Sequence, residues 1–304
     1  MQAVLVGTLR QRASGEIRSP SLREEAATPR LSIIIPTYNS AATIGRCLQS
    51  IGVQAFTDYE VIVQDGSPKD DTAREIEEFR KEHRDIYVSV FQEPDRGVYD
   101  AMNKGMTKAR GEWLYFLGSD DELFDDRALA AVMTRENTAN SNVLYGNVQS
   151  VGDSVWGKSG TIYDGPFDLA KLLGRNICHQ AIFYRAEFAQ QVGSYDLSYP
   201  LYADWDFNLR CWARTKFKYV DVTVAKFHMG GLSNAGGGDE RFDQCFAGNA
   251  MRYFNLSLLG QVVNSSSFYG LGDIIRMQRE KGKFHSLGGR AVRRMQRLRT
   301  RTGH

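Results

Sequence analysis

LSIIIPTYNS (31–40), YEVIVQDGSPKDD (59–71) and WLYFLGSDDEL (113–123) share one construction. In each, a run of Ile, Val, Leu and aromatic residues stops at Pro, Asn, Asp or Gly, and an amphipathic helical pattern follows. Strand alternating with helix is the rhythm of a parallel α/β sheet. Its crossovers are right-handed, so successive strand ends collect on one edge, where open α/β proteins bind ligands. Asp65, Asp120 and Asp121 are therefore expected to converge on one crevice.

Gathered carboxylates repel one another and are costly to desolvate, so a site that collects them holds a divalent cation or hydrogen-bonds polar ligand groups. The apolar run before Asp120 and Asp121 predicts a buried strand that delivers the pair rigidly to the sheet edge. A hard oxygen site of this kind suits Mg2+ or Mn2+, which can bridge a diphosphate. The competing reading is that SDDE only caps the helix expected near Asp125. Two further strand-end motifs in the same order argue against so local a role.

Taken together, SIIIPTYNSAATIGRCLQSI, YEVIVQDGSPKDDT, DRGVYDAMNKGMTKARGEWLYFLGSDDEL and ADWDFNLR make the chain resemble the family-2 glycosyltransferases of GT-A fold over residues 31–230. The resemblance implies a Rossmann-like, mostly parallel central sheet flanked by helices. It also implies transfer of a sugar from a nucleotide-diphosphate donor, with UDP the default, to an acceptor hydroxyl with inversion. The acceptor would be a saccharide or lipid-linked saccharide in bacterial polysaccharide or lipopolysaccharide assembly. A nucleotide-sugar-binding protein of the same fold without transfer activity is the alternative.

By that resemblance Pro36, Thr37 and Tyr38 lie against the nucleoside, where a tyrosine ring can stack on the base. Asp65 would accept hydrogen bonds from the base edge, with Gln64 standing where many relatives have a second acid and facing the other way. Asp100, Asn103 and Lys104, spaced to share a helical face, would serve the donor, aided by Arg96. Where many relatives carry Asp-x-Asp-Asp, this chain has Gly118-Ser119-Asp120-Asp121. Cation binding then rests on Asp120 and Asp121, with His228 as a further ligand and Asp120 also on the donor. Asp204, at the start of a helix, matches the family's base, and the helix dipole is expected to depress its pKa. Asp206 should point away. His179 and Gln180 are expected beside the acceptor, and Trp156 and Trp205 could stack on a sugar ring or fill the core.

The rest of the chain agrees with an ordinary enzyme. At 304 residues, 42% hydrophobic and 24% charged, it can bury a full core. Its four cysteines lack metal-ligand spacing, which favours buried thiols in a reducing compartment. No apolar run reaches the length of a membrane span and no signal peptide is evident, so a cytoplasmic location is expected. Residues 1–30 read as a flexible leader, 31–235 as the transferase domain and 236–304 as a helical extension. The extension ends in a basic stretch containing Arg290, Arg293, Arg294, Arg297, Arg299 and Arg301, against a net charge of only +2. Such a tail can bind an anionic membrane surface near a lipid-linked acceptor, or serve as a solvated helix or subunit contact. No recognition motif for nucleic acid accompanies the charge. GGLSNAGGG (230–238) reads as a lid near the acceptor site or as a linker.

Overall fold

The computed structural model describes residues 28–67, 70–153, 158–229 and 238–254. The leader through residue 27, Trp156, the glycine-rich stretch through residue 237 and the basic tail lie outside the described residues. In chain order the elements are β1 (Leu31–Thr37), α1 (Ile44–Gly52), β2 (Tyr59–Asp65), α2 (Thr72–Glu82), β3 (Tyr87–Gln92), α3 (Val98–Lys108), β4 (Trp113–Phe116) and β5 (Glu122–Leu123). Two short helices follow, α4 (Ala128–Val132) and α5 (Arg135–Thr138), then β6 (Val143–Val151), β7 (Ile162–Tyr163) and α6 (Leu169–Gly174). A 3-10 turn at His179–Ala181 leads into β8 (Ile182–Arg185) and α7 (Ala186–Val192). α8 (Ala203–Trp212), β9 (Lys218–His228) and α9 (Glu240–Tyr253) are the last elements among the described residues.

The strands form one mostly parallel, mixed sheet in the order β3-β2-β1-β4-β8-β6-β9-β5, with β7 beside β6. β3, β2, β1 and β4 are mutually parallel, and β8 inserts antiparallel between β4 and β6. β1 and β2 are buried at every residue, as expected of strands covered on both faces. Alternation sorts their side chains into two cores. Ile34, Ile62, Leu114 and Phe116 join α3 and α8 on one face, and Ile33, Ile35, Val61, Val63, Trp113 and Tyr115 join α1 and α2 on the other. Each such aliphatic side chain contributes roughly 1.5–3 kcal/mol by leaving water.

Close packing holds α3 against the sheet. A side chain on Gly105 would come within 2.4 Å of Ile34 Cγ2, so glycine lets the helix lie directly on β1. The helix stops at Lys108, three residues short of Gly111. The Arg110 and Gly111 amides are instead taken by the Glu60 carboxylate and the Ser32 hydroxyl at the base of the sheet. α9 shares a core with α8, where Phe242 and Phe246 pack on Trp205. Trp205, whose indole donates to Leu172 O at 2.8 Å, is thus a core residue and not a sugar platform.

Candidate active site

Strand order reverses between β1 and β4, because the chain moves outward to β2 and β3 before returning to the other side of β1. That switch point opens a crevice at the carboxyl ends of the strands. Register places Thr37 beside Asp65 there. The Asp65 carboxylate accepts the Ser67 amide at 2.9 Å and the Gln92 side chain at 3.1 Å, which fixes its orientation. Gln64 faces the other way and accepts the Lys108 ammonium at 2.9 Å. Thr37 is buried with its hydroxyl on Ile35 O, whereas the Tyr38 ring is 62% exposed at the crevice rim. The Ser40 and Ser119 hydroxyls, 2.8 Å apart, tie this first strand end to the acidic motif.

Within that motif the two aspartates differ. Asp121 is buried, accepting the His228 amide on Oδ1 at 2.8 Å and the Gln180 side-chain amide on Oδ2. Burial, followed by the neighbouring Asp120 charge, pushes its pKa up to about 8. Asp120 is half-buried at the mouth, and its backbone carbonyl accepts Arg46 at 2.8 Å. Both carboxylates turn back over Gly118. A β-carbon there would lie 2.6 Å from Asp121 Oδ2 and 2.8 Å from Asp120 Oδ1. Glycine at position 118 therefore leaves the space into which the two carboxylates fold.

His228, expected as a cation ligand, and Gln180, expected beside the acceptor, are engaged elsewhere. The His228 ring contacts Glu122 at 2.8 Å, and Glu122 also pairs with Arg46 at 2.9 Å, so the imidazole is engaged away from the aspartates. Gln180 is fully enclosed between Asp121 and the Cys178 thiol instead of facing an acceptor. Among the described residues, no three His, Cys, Asp or Glu side chains are arranged to hold a metal. Any cation would rest on Asp120 and Asp121 together with groups of its ligand.

The 3-10 turn His179–Ala181 joins this motif to Asp204, with Gln180 on Asp121 and the preceding His179 placing Nδ1 3.8 Å from Asp204 Oδ2. Burial lowers the His179 pKa to about 4, so the ring is neutral at physiological pH and forms no ion pair. Asp204 sits in the first turn of α8 and accepts Tyr99 Oη and the Trp205 amide, each at 2.9 Å, and Asn176 Nδ2 at 2.8 Å. The dipole argument predicted a depressed pKa. Instead, burial raises it to about 6, against the lowering effect of those hydrogen bonds. Asp206 does point away, to Arg210 and Tyr253.

On α3, Asp100 and Lys104 stay together with Arg96 near the crevice, Asp100 Oδ2 lying 3.3 Å from Lys104 Nζ and accepting the Arg96 amide at 3.0 Å. Asn103 departs from expectation. Both ends of its amide are taken by the Tyr195 backbone, at 3.0 and 2.8 Å, so it fastens α3 to the loop before α8 rather than facing a donor. Tyr99, Asn176, Asn208 and Glu122 were not anticipated as site residues. Their partners lie on segments far away in sequence, and no short spacing announces them.

Solved structures with the same architecture are GT-A glycosyltransferases. They include Staphylococcus aureus TarS 1-349 in complex with UDP-GlcNAc (TM-score 0.56, 20% identity, covering 82% of this chain and 81% of that one). A second is the mannosyltransferase PcManGT from Pyrobaculum calidifontis in complex with GDP-Man and Mn2+ (TM-score 0.51, 15% identity, 91% and 82%). The profile described as glycosyl transferase family 2 matches residues 32–189, and the chain belongs to that family. The PGL/p-HBAD biosynthesis glycosyltransferases of Mycobacterium bovis and Mycobacterium tuberculosis are 42% identical over 215 residues, covering 68% of this chain and 80% of theirs. The protein is a glycosyltransferase.

Proposed function

We propose that the protein transfers a sugar from a UDP-sugar to a hydroxyl of a saccharide or lipid-linked saccharide, with inversion and with Asp204 as general base. The observation that carries this reading is Asp204 itself: a buried carboxylate with a pKa near 6, linked through the His179–Ala181 turn to the acidic strand end. In the reaction the acceptor oxygen forms its bond to the anomeric carbon as the bond to the diphosphate oxygen breaks. The acceptor proton passes to Asp204, and the nucleoside diphosphate leaves. A base with a pKa near 6 is ionised at neutral pH yet basic enough to take a proton that is being released.

On the donor side, Tyr38 offers an exposed ring for the base and Asp65 a fixed carboxylate, with Arg96 and Lys104 available for phosphate charge. Asp120 and Asp121, converging over Gly118, fit a Mg2+ or Mn2+ ion, which would stabilise charge on the diphosphate when bound. The ligands named in TarS and PcManGT complexes support a nucleotide-sugar donor and a divalent ion. A Campylobacter jejuni relative, 34% identical over 119 residues and covering 39% of this chain and 38% of its own, is a GalNAc(5)-diNAcBac-PP-undecaprenol beta-1,3-glucosyltransferase. That relative and the basic sequence of residues 290–301 support a lipid-linked acceptor at an anionic surface. No helix among the described residues is long and apolar enough to cross a membrane.

Calorimetric titration of UDP, GDP and dTDP, with and without Mn2+, tests the reading. Binding of UDP that depends on Mn2+, is lost in Asp120→Ala and survives in Asp204→Asn is the expected pattern. Failure of every nucleotide to bind would overturn the donor assignment.

A further inference from the structure

Behind Asp204 runs a chain of polar side chains, half-buried at Asn176 and buried beyond it, that the reaction as described does not use. The Tyr184 hydroxyl, on β8, donates to Asn208 Oδ1 at 2.6 Å. Asn208 Nδ2 donates to Asn176 Oδ1 at 2.8 Å, and Asn176 Nδ2 donates to Asp204 Oδ2 at 2.8 Å. Asn208 is fully buried and Tyr184 nearly so. We propose that Tyr184, Asn208 and Asn176 form a one-way hydrogen-bond relay that positions Asp204 and holds its carboxylate in the ionised, accepting form. The inference rests on Asp204 being the base.

Direction follows from counting protons. An ionised carboxylate only accepts, so Asn176 must turn its NH2 toward Asp204 and its carbonyl toward Asn208. Asn208 must then present its carbonyl to Tyr184, whose hydroxyl supplies the last proton. Reversing the relay would suit a protonated Asp204, but it would point the Asn208 NH2 at the Tyr184 oxygen and leave a buried hydroxyl hydrogen without an acceptor. Among the described residues, Asn208 is the acceptor the structure gives that hydroxyl. Core packing of Tyr184 against Phe116 and Phe207 holds it in place. The relay thus opposes the burial that would otherwise keep Asp204 protonated.

The groups facing Asp204 leave its titration readable. His179, on the 3-10 turn, is neutral above about pH 4. Tyr99 on α3, Tyr163 on β7, Tyr184 on β8, Tyr195 on the loop before α8 and the Cys178 thiol are all pushed upward by burial and stay protonated at neutral pH. On its own helix, Asp206 is paired with Arg210.

The test is a carbon-13 NMR titration of the full chain labelled at aspartate side-chain carboxyls, the Asp204 resonance being assigned by its absence in Asp204→Asn. Asn176→Leu should raise the Asp204 pKa by about one unit or more, and Tyr184→Phe, near-isosteric and three groups away, by about half a unit. Where Asn176→Leu fails to fold, Tyr184→Phe carries the test. An Asp204 pKa that stays within about 0.2 unit of wild type in folded Tyr184→Phe and Asn176→Leu would overturn the relay. Failure of the base assignment would show separately, as transfer surviving in Asp204→Asn.

Discussion

Replacing Asp204 with Asn should remove transfer and gain stability relative to wild type as pH climbs from acid to neutral, and the size of the second effect follows from the site. The Asp204 pKa rises from 3.8 to about 6 on folding because burial disfavours the charge. An acid whose folded pKa is raised loses native stability as pH climbs, since the unfolded chain gives up its proton first. The loss begins near pH 4, is complete above about pH 6 and amounts to about 3 kcal/mol, at about 1.4 kcal/mol per pH unit. A carboxamide at this position cannot titrate, so the stability of Asp204→Asn relative to wild type should improve by about 3 kcal/mol between about pH 4 and about pH 7. Any fixed effect of the substitution, such as a mismatch between its NH2 and that of Asn176, is the same at both pH values and drops out. Asp121, also raised, is common to both proteins. Urea denaturation at a series of pH values measures the difference directly. Loss of a general base lowers turnover by about 10²–10⁴-fold. A stability difference that does not change with pH would refute the claim that Asp204 is charged and strained in the native state.

Gly118→Ala places a β-carbon 2.6 and 2.8 Å from the Asp121 and Asp120 carboxylates, so it should weaken Mn2+-dependent UDP binding, measured by calorimetry, with the fold intact by circular dichroism. Tyr38→Ala should weaken UDP binding by about 1–3 kcal/mol, if the exposed ring stacks on the base, and leave the urea midpoint unchanged. Asn103→Ala should do the opposite. It abandons two hydrogen bonds to the Tyr195 backbone, costing about 1–3 kcal/mol in urea denaturation, with nucleotide affinity unaltered.

Local patterning was enough to read the sheet and its edge. Ile33, Ile35, Val61 and Val63 alternate with Ile34 and Ile62 in runs apolar on both faces, which only a doubly covered parallel strand tolerates. The turn residues that end those runs put Asp65, Asp120 and Asp121 at one edge because β1, β2 and β4 run parallel. Side-chain roles were harder to read where partners are remote. Asn103 shares a helical spacing with Asp100 and Lys104, yet it is claimed by Tyr195, 92 residues on. His228 is the last residue of β9, at a strand end as a ligand would be, but its ring meets Glu122 and not an aspartate.

The pKa of Asp204 shows the division most clearly. Sequence alone placed the residue in the first turn of a helix, and from that position a dipole argument gives the wrong sign. Desolvation depends on how many atoms surround the carboxylate, and those come from α3, the 3-10 turn and the segment carrying Asn176, none of them near Asp204 in the chain. Short-range periodicity therefore determined the strands, the helices and the sheet edge that carries Asp65, Asp120 and Asp121. Tertiary structure decided which carboxylates stay charged there, because burial and hydrogen-bond partners are properties of three-dimensional neighbours.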